Sequence, residues 1–305
     1  MATLAGAITL VLVSCAVVLA ASSRSGKALA AQSDVVRRAP FDGLGSWVDM
    51  YSWSQTFIAG GPHFGLADVD AMAAAGVQTL FIQAASQTGP ATVLEPDRLR
   101  PLIVRARRAG MSVVVWYMPT PVNLADDLTR LQEIARLPAD GVAVDIESTA
   151  VSDIAARNAA LVALSRQLRR VLPHFPLGAI VLPATLLEVV NPKYWPAFPY
   201  TDLVASYDAW LPMVYWTDRL ASSGLRDGYR YTADSIGRLR RDLGPVAGPA
   251  ARVDPIGGVS VDGLAAGDLA GFVQAARESH STGGSLYEWP GTAATAWGIL
   301  RPLRT

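Results

Sequence analysis

From about residue 44 onward, short apolar runs alternate with stretches whose apolar residues recur at helical spacing. The runs are Gly45–Trp53, Val77–Gln83, Ser112–Pro119, Gly141–Glu147, Leu177–Pro183, Trp210–Thr217, Ile256–Ser260 and Gly284–Trp289. They are rich in Val, Ile, Tyr and Trp, as strands are. Their near-continuous apolar character suits parallel strands covered on the outside. Between them, Pro96–Ala109 opens on Pro-Asp and stops at Gly110, with Leu99, Leu102, Ile103 and Ala106 on one stripe. Ser152–Val171 carries Ile154, Leu161, Leu164, Leu168 and Val171 on one face, with Arg157, Arg166, Arg169 and Arg170 largely off it. Shorter helical patterns cover Leu66–Ala75, Leu124–Leu137, Thr232–Leu243, Ala265–Glu278 and Thr292–Leu300. In the fifth connection Pro192, Pro196 and Pro199 leave only about Thr201–Tyr207 for a helix.

Eight β-α units in about 260 residues match the order and size of an α/β chain folded as a (β/α)8 TIM barrel. A doubly wound open sheet fits less well, since no Gly-x-Gly-x-x-Gly or Walker-type loop follows any of the runs. The sequence shows neither an internal repeat nor a linker inside this region, so 44–305 is read as one domain.

The N-terminal pattern is different. Ala2 to Ala21 is uncharged and almost wholly apolar, close to the roughly 20 residues that span a bilayer. Ala28-Leu29-Ala30 supplies a small-x-small cleavage site. Residues 1–31 therefore read as a signal peptide or membrane anchor and 32–43 as a linker, which places the domain outside the cytoplasm, secreted or attached to the envelope through residues 2–21. The sole cysteine, Cys15, follows Leu-Val-Ser in a lipobox-like context, but the apolar run continues beyond it.

Composition narrows the chemistry. The 305 residues contain 26 Lys+Arg against 26 Asp+Glu, a formal charge of zero. Without a basic excess the chain is not expected to grip nucleic acid. With 51% hydrophobic and 17% charged residues it is not a disordered chain. His63, His174 and His280 are scattered and only one Cys exists, so neither a zinc site nor any other metal is expected. No cofactor is implied, and a monomer is expected.

In such barrels chemistry sits at the C-terminal ends of the strands. The fourth run, Asp140-Gly-Val-Ala-Val-Asp-Ile-Glu147, alternates so that Ala143, Asp145 and Glu147 share a face and Val142, Val144 and Ile146 share the other. The apolar set wants the helix layer, which turns both carboxyls into the mouth. Two acids so close cannot both ionise cheaply, so one pKa should rise and supply a proton donor. The plainer alternative is that they bond loop amides or an arginine. On the first run Trp47, Asp49 and Tyr51 share a face, with Trp53 just beyond. The second run offers Gln83, the third Trp116 and Tyr117, the sixth Met213 and Tyr215 followed by Trp216, and the eighth Tyr287, Glu288 and Trp289. Aromatic rings with polar handles suit the C–H faces of sugars, although any one tryptophan could simply plug the barrel.

The fourth run resembles the Asp-Gly-x-Asp-x-Asp-x-Glu signature of chitinase-like glycoside hydrolases of family 18. Met213-x-Tyr215 is similar to that family's strand-six motif, and Trp289 stands where its strand-eight tryptophan floors a subsite. The resemblance implies Glu147 as general acid, Asp145 orienting the substrate N-acetyl group, and Tyr215 steadying that group as it attacks the anomeric carbon. It makes Asp49, Trp53, Gln83, Trp116, Tyr117, Met213, Trp216 and Trp289 candidates for binding a polysaccharide or oligosaccharide. Two positions depart from the pattern: Ala143 replaces the middle aspartate, and Trp216 replaces a strand-six aspartate. The Asp-x-Glu ending is also similar to family 25 lysozymes.

The seventh run, Ile256–Ser260, contains no carboxylate, which disfavours a covalent route through a second strand-end Glu. A substrate-assisted route remains, as does an inverting one with Asp49 or Glu288 as base. The expectation is an exported hydrolase of a β-linked, N-acetylated glycan of the chitin or peptidoglycan type. The alternative is a catalytically degenerate glycan-binding barrel, to which Ala143 points. A metal-dependent deacetylase or phosphodiesterase is disfavoured by the scarcity of histidine.

Overall fold

The computed structural model describes residues 40–260 and 263–305. The segments read as export signal, anchor and most of the linker lie outside them. Among the described residues no helix is long and apolar enough to cross a membrane.

Eight parallel strands close into a barrel in chain order: β1 (Gly43–Val48), β2 (Thr79–Gln83), β3 (Ser112–Tyr117), β4 (Gly141–Ile146), β5 (Leu177–Val181), β6 (Ala209–Val214), β7 (Ile256–Val259) and β8 (Gly283–Tyr287). β8 pairs with β1, Gly43 to Gly283 through Ser46 to Leu286, and closes the ring. The TIM-barrel expectation therefore holds. The long helices lie where the periodicity put them, at Leu66–Ala75, Pro96–Arg108, Leu124–Ala135, Ile154–Val171, Gly228–Asp242 and Ala266–Glu278. Local chemistry starts three of them. Asn123, Asp153 and Asp227 accept the backbone N–H groups of Asp126 (3.2 Å), Ala156 (2.7 Å) and Arg230 (2.7 Å), each satisfying a donor that the first turn leaves without a partner.

The barrel interior is filled by side chains. Trp47 stacks on Phe81 with ring centroids 4.2 Å apart, and its indole N–H donates to Ser285 Oγ at 2.9 Å. That stack requires glycine at 45, because a Cβ there would lie 2.6 Å from the Phe81 ring. Phe41 seals the end away from Glu147: a Cβ on Gly178, at the start of β5, would sit 2.7 Å from its ring.

Two regions differ from the sequence reading. The first strand does not run to Trp53. It ends at Val48, and Met50–Trp53 is a helical turn. The fifth connection, expected to be one helix over Thr201–Tyr207, is split into a helical turn at Tyr200–Leu203 and a 3-10 turn at Val204–Ser206. The segment Leu186–Val190 ahead of them is a π-helical turn.

Candidate active site

β4 aims its last inward positions at the mouth. Ala143 pairs in register with Trp116, and Asp145 with Ile180. Asp145 therefore rises from an apolar floor. It is only 8% exposed, and its Oδ1 is buried with no hydrogen-bond partner. Burial, reinforced by the Glu147 charge, pushes the Asp145 carboxyl well above its ordinary range, and burial also raises Glu147. No arginine offsets either shift, so the plainer reading of a structural ion pair has no support here. The pair has the chemistry of a proton donor beside an acceptor with spare valence.

One cavity of about 290 Å³ is lined by Asp145 and Glu147 together with Asp49, Met50, Tyr51, Gln83, Trp116, Met118, Met213, Tyr215 and Tyr287. Gln83 is fixed at both ends of its amide, accepting the Met50 N–H at 3.0 Å and donating to the Ala85 carbonyl at 3.3 Å. Tyr215 follows the end of β6, and its hydroxyl is pushed well up by burial and then by the Asp145 and Glu147 charges. It therefore stays protonated and able to donate.

On the β1–β8 side stands a second acidic group. Tyr287 donates its hydroxyl to Asp49 Oδ2 at 2.7 Å. Ser52 Oγ lies 3.3 Å from Asp49 Oδ1 and 3.2 Å from Glu288 Oε2. Ser52 has one hydroxyl hydrogen for these two acceptors. Burial, then the Asp49 charge, pushes Glu288 up to about 7. By strand alternation at most one of Tyr287 and Glu288 can face inward. Tyr287 lines the cavity; Glu288 does not, and reaches it only through Ser52.

Of the expected ligand-binding residues, Asp49, Gln83, Trp116 and Met213 come together with Asp145, Glu147 and Tyr215. Four others do not. Trp53 is fully buried, because the turn after Val48 swings it inward and its indole N–H donates to the Gln83 carbonyl at 3.1 Å. Tyr117 follows an inward Trp116 on a strand, so it faces the helix layer, where its hydroxyl donates to Asp127 Oδ1 at 2.7 Å. Trp216 is 1% exposed and packs on Phe272 and against Gly257 and Gly258. Trp289 is half-buried against Trp297, centroids 5.0 Å apart, and lies off the cavity lining. Met50 and Met118 line the cavity and were not anticipated. Neither is chemically distinctive in sequence, and each falls just past the end of a strand. Among the described residues, no three His, Cys, Asp or Glu side chains are grouped so as to hold a metal ion.

No family model and no curated protein matches the chain. Its fold is similar to that of several solved structures. The spore cortex-lytic enzyme SleL of Bacillus cereus superposes with a TM-score of 0.62 at 11% identity, covering 87% of this chain and 75% of that one. A family 18 chitinase from Cycas revoluta, solved with (GlcNAc)3, gives 0.61 at 12% identity, covering 85% of this chain and 98% of its own. The endo-beta-1,4-mannanase of Thermotoga petrophila gives 0.60 at 10% identity, covering 83% and 69%. At these identities the likeness establishes the barrel fold, which this chain shares with a distant set of chitinase-like structures.

Proposed function

We propose that this protein is a glycoside hydrolase acting on a β-linked, N-acetylated glycan of the chitin or peptidoglycan type. The observation that carries the reading is the pair of arginine-free carboxyls at the end of β4, Asp145 buried and Glu147 half-buried, facing one cavity with Tyr215, Met213 and Trp116. The fold it shares with a chitinase and a cortex-lytic enzyme supports the same reading.

Glu147, whose pKa burial raises, gives its proton to the glycosidic oxygen as the bond to the anomeric carbon breaks. The acetamido oxygen of the same sugar closes on that carbon. Asp145 accepts the acetamido N–H through the Oδ1 that has no partner in the protein, and Tyr215 donates to the acetamido oxygen. Water then opens the cyclic intermediate and returns a proton to Glu147. We further propose that the enzyme works outside the cytoplasm, a reading supported by the apolar segment Ala2–Ala21.

Ala143 favours a second reading, a barrel that binds glycan without cutting it. Its methyl group cannot exchange a proton with Asp145 as an aspartate at that position could. Reducing-end release from chito-oligosaccharides and purified peptidoglycan, measured for the full chain and Glu147→Gln, separates the two. Release that is lost in the variant supports the hydrolase. Retention on the polysaccharide without release from either protein supports the binder.

A further inference from the structure

The cavity lining holds three carboxyl groups, Asp49, Asp145 and Glu147, and no Lys, Arg or His. A fourth, Glu288, stands behind Ser52. Elsewhere in the barrel many acids have arginine partners: Asp70 with Arg105, Asp140 with Arg107, Asp202 with Arg166, Asp208 with Arg169, and Glu188 with Arg238 and Arg241. Among the described residues, Asp49, Asp145, Glu147 and Glu288 are in no ion pair with an arginine. A neutral sugar uses an additional carboxylate only as an acceptor for its hydroxyl groups, whereas like charges gathered in one cavity repel. Such a grouping is favourable when the ligand itself brings the positive charge.

A metal ion does not fit that role, because the carboxyls are not grouped to hold one. The sharing of hydrogens points to a small donor-rich cation. Asp49 Oδ2 takes a firm bond from Tyr287, whereas Oδ1 has only the long contact with the Ser52 hydroxyl, divided with Glu288. Next to it Tyr51 is 59% exposed, lines the same cavity, and is held edge-on by Phe57. A carboxylate beside an exposed aromatic face is the arrangement that takes an ammonium on a sugar ring. The unpartnered Oδ1 of the 8% exposed Asp145 faces the same cavity and marks it as a ligand site, with the acetamido N–H of the neighbouring sugar as its own partner.

We propose that the substrate is a partly de-N-acetylated glycan, and that Asp49 and Tyr51 form a subsite for a glucosamine-type unit carrying a free ammonium, next to the N-acetylated sugar that reacts. This rests on the glycosidase reading for the reacting sugar, while the cation preference itself is a property of the cavity. Asp49 accepts the ammonium N–H, Tyr51 covers the ring, and no covalent step is added to the one at Glu147.

The test compares N-acetylglucosamine hexamers in which one unit is replaced by glucosamine with fully acetylated hexamers as calorimetric ligands for the full-length Glu147→Gln protein. Initial rates on chitosan of intermediate acetylation and on fully acetylated oligomers are then measured for the unsubstituted protein. Tighter binding of the glucosamine-containing oligomer by about tenfold, the range of one charge-assisted hydrogen bond, is expected. Asp49→Asn should abolish that preference, and added salt should shrink it. Equal binding of the two oligomers, tighter binding of the fully acetylated one, or a preference that survives Asp49→Asn would overturn the subsite. Thermal melts of Asp49→Asn establish that it is folded; should it fail to fold, Tyr51→Ala is expected to reduce the preference, and an unchanged preference overturns the proposal. No reducing-end release from any substrate, with the binding preference intact, would remove the hydrolase and leave the cationic glycan site standing.

Discussion

Replacing Asp145 by asparagine should make the protein progressively more stable than the parent as pH rises. Asp145 is 8% exposed, and its pKa is raised first by burial and then by Glu147. The folded state therefore binds a proton that the unfolded chain releases near its ordinary value of about 3.9. For a group with a raised carboxyl pKa, the native form binds more protons than the unfolded one, so stability falls with pH between the two values. The slope is at most about 1.4 kcal/mol per pH unit, so between pH 4 and pH 7 the full penalty is at most about 4 kcal/mol. Asparagine removes this titration. It also leaves a buried amide with unmet hydrogen bonds, a cost of about 1–3 kcal/mol that does not vary with pH. The readout is accordingly the pH dependence of the difference. Urea or thermal unfolding of both proteins at pH 4, 5.5, 7 and 8.5 should show Asp145→Asn gaining on the parent from pH 4 upward and levelling off once the folded-state pKa is passed. In a domain of this size each kcal/mol is worth about 2–4 °C. A difference that stays flat from pH 4 to 8.5 would mean Asp145 is fully compensated in the folded protein, and the argument for a carboxyl held ready for a ligand fails.

Further tests follow from the same geometry. Tyr215→Phe removes a hydroxyl kept protonated by burial and by its carboxylate neighbours, and should lower kcat on N-acetylated oligomers by about 10- to 100-fold with the fold intact; unchanged kcat would remove Tyr215 from the reaction. Because burial raises Glu147, the alkaline limb of the kcat profile, where the acid loses its proton, should lie above the ordinary glutamate value of about 4.3; a limb at or below it would contradict Glu147 as the acid. Trp53→Ala should cost about 3–5 kcal/mol of stability, because the ring is fully buried and its N–H is used on Gln83. A stable Trp53→Ala variant with raised KM would instead return Trp53 to the ligand.

Much of this fold and site is legible in the sequence. The eight apolar runs and their capped helices lead directly to the closed barrel, because parallel strands buried on both faces leave a plain signature. Strict alternation in β4 was enough to turn Asp145 and Glu147 inward. The same rule misled at β1, where Trp47-Val-Asp-Met-Tyr-Ser-Trp53 continues to alternate although the strand stops at Val48. What bends the chain there is long-range: the Gln83 side chain captures the Met50 N–H and its carbonyl captures the Trp53 indole. No local pattern reports a partner thirty residues away. Trp116 and Tyr117 posed a parity question that two apolar flanking residues cannot answer, and pairing with β4 decides it in favour of Trp116. Trp216 is buried because Gly257 and Gly258 on the next strand leave room for its ring, a fit that depends on two segments at once.

The lone hydrogen of Ser52 couples two acids into a thermodynamic linkage. Burial, and then the Asp49 charge, raise the pKa of Glu288 to about 7, so near neutrality Glu288 is about half titrated. A cation settling against Asp49 would weaken that repulsion and free the hydroxyl to turn to Glu288, lowering its pKa and releasing part of its proton. Uptake of a positively charged sugar is in this way an exchange in which a fraction of a proton leaves as the ammonium arrives. The heat of binding therefore changes with the ionisation enthalpy of the buffer, and the affinity strengthens as pH rises through the Glu288 transition for as long as the sugar amine keeps its charge.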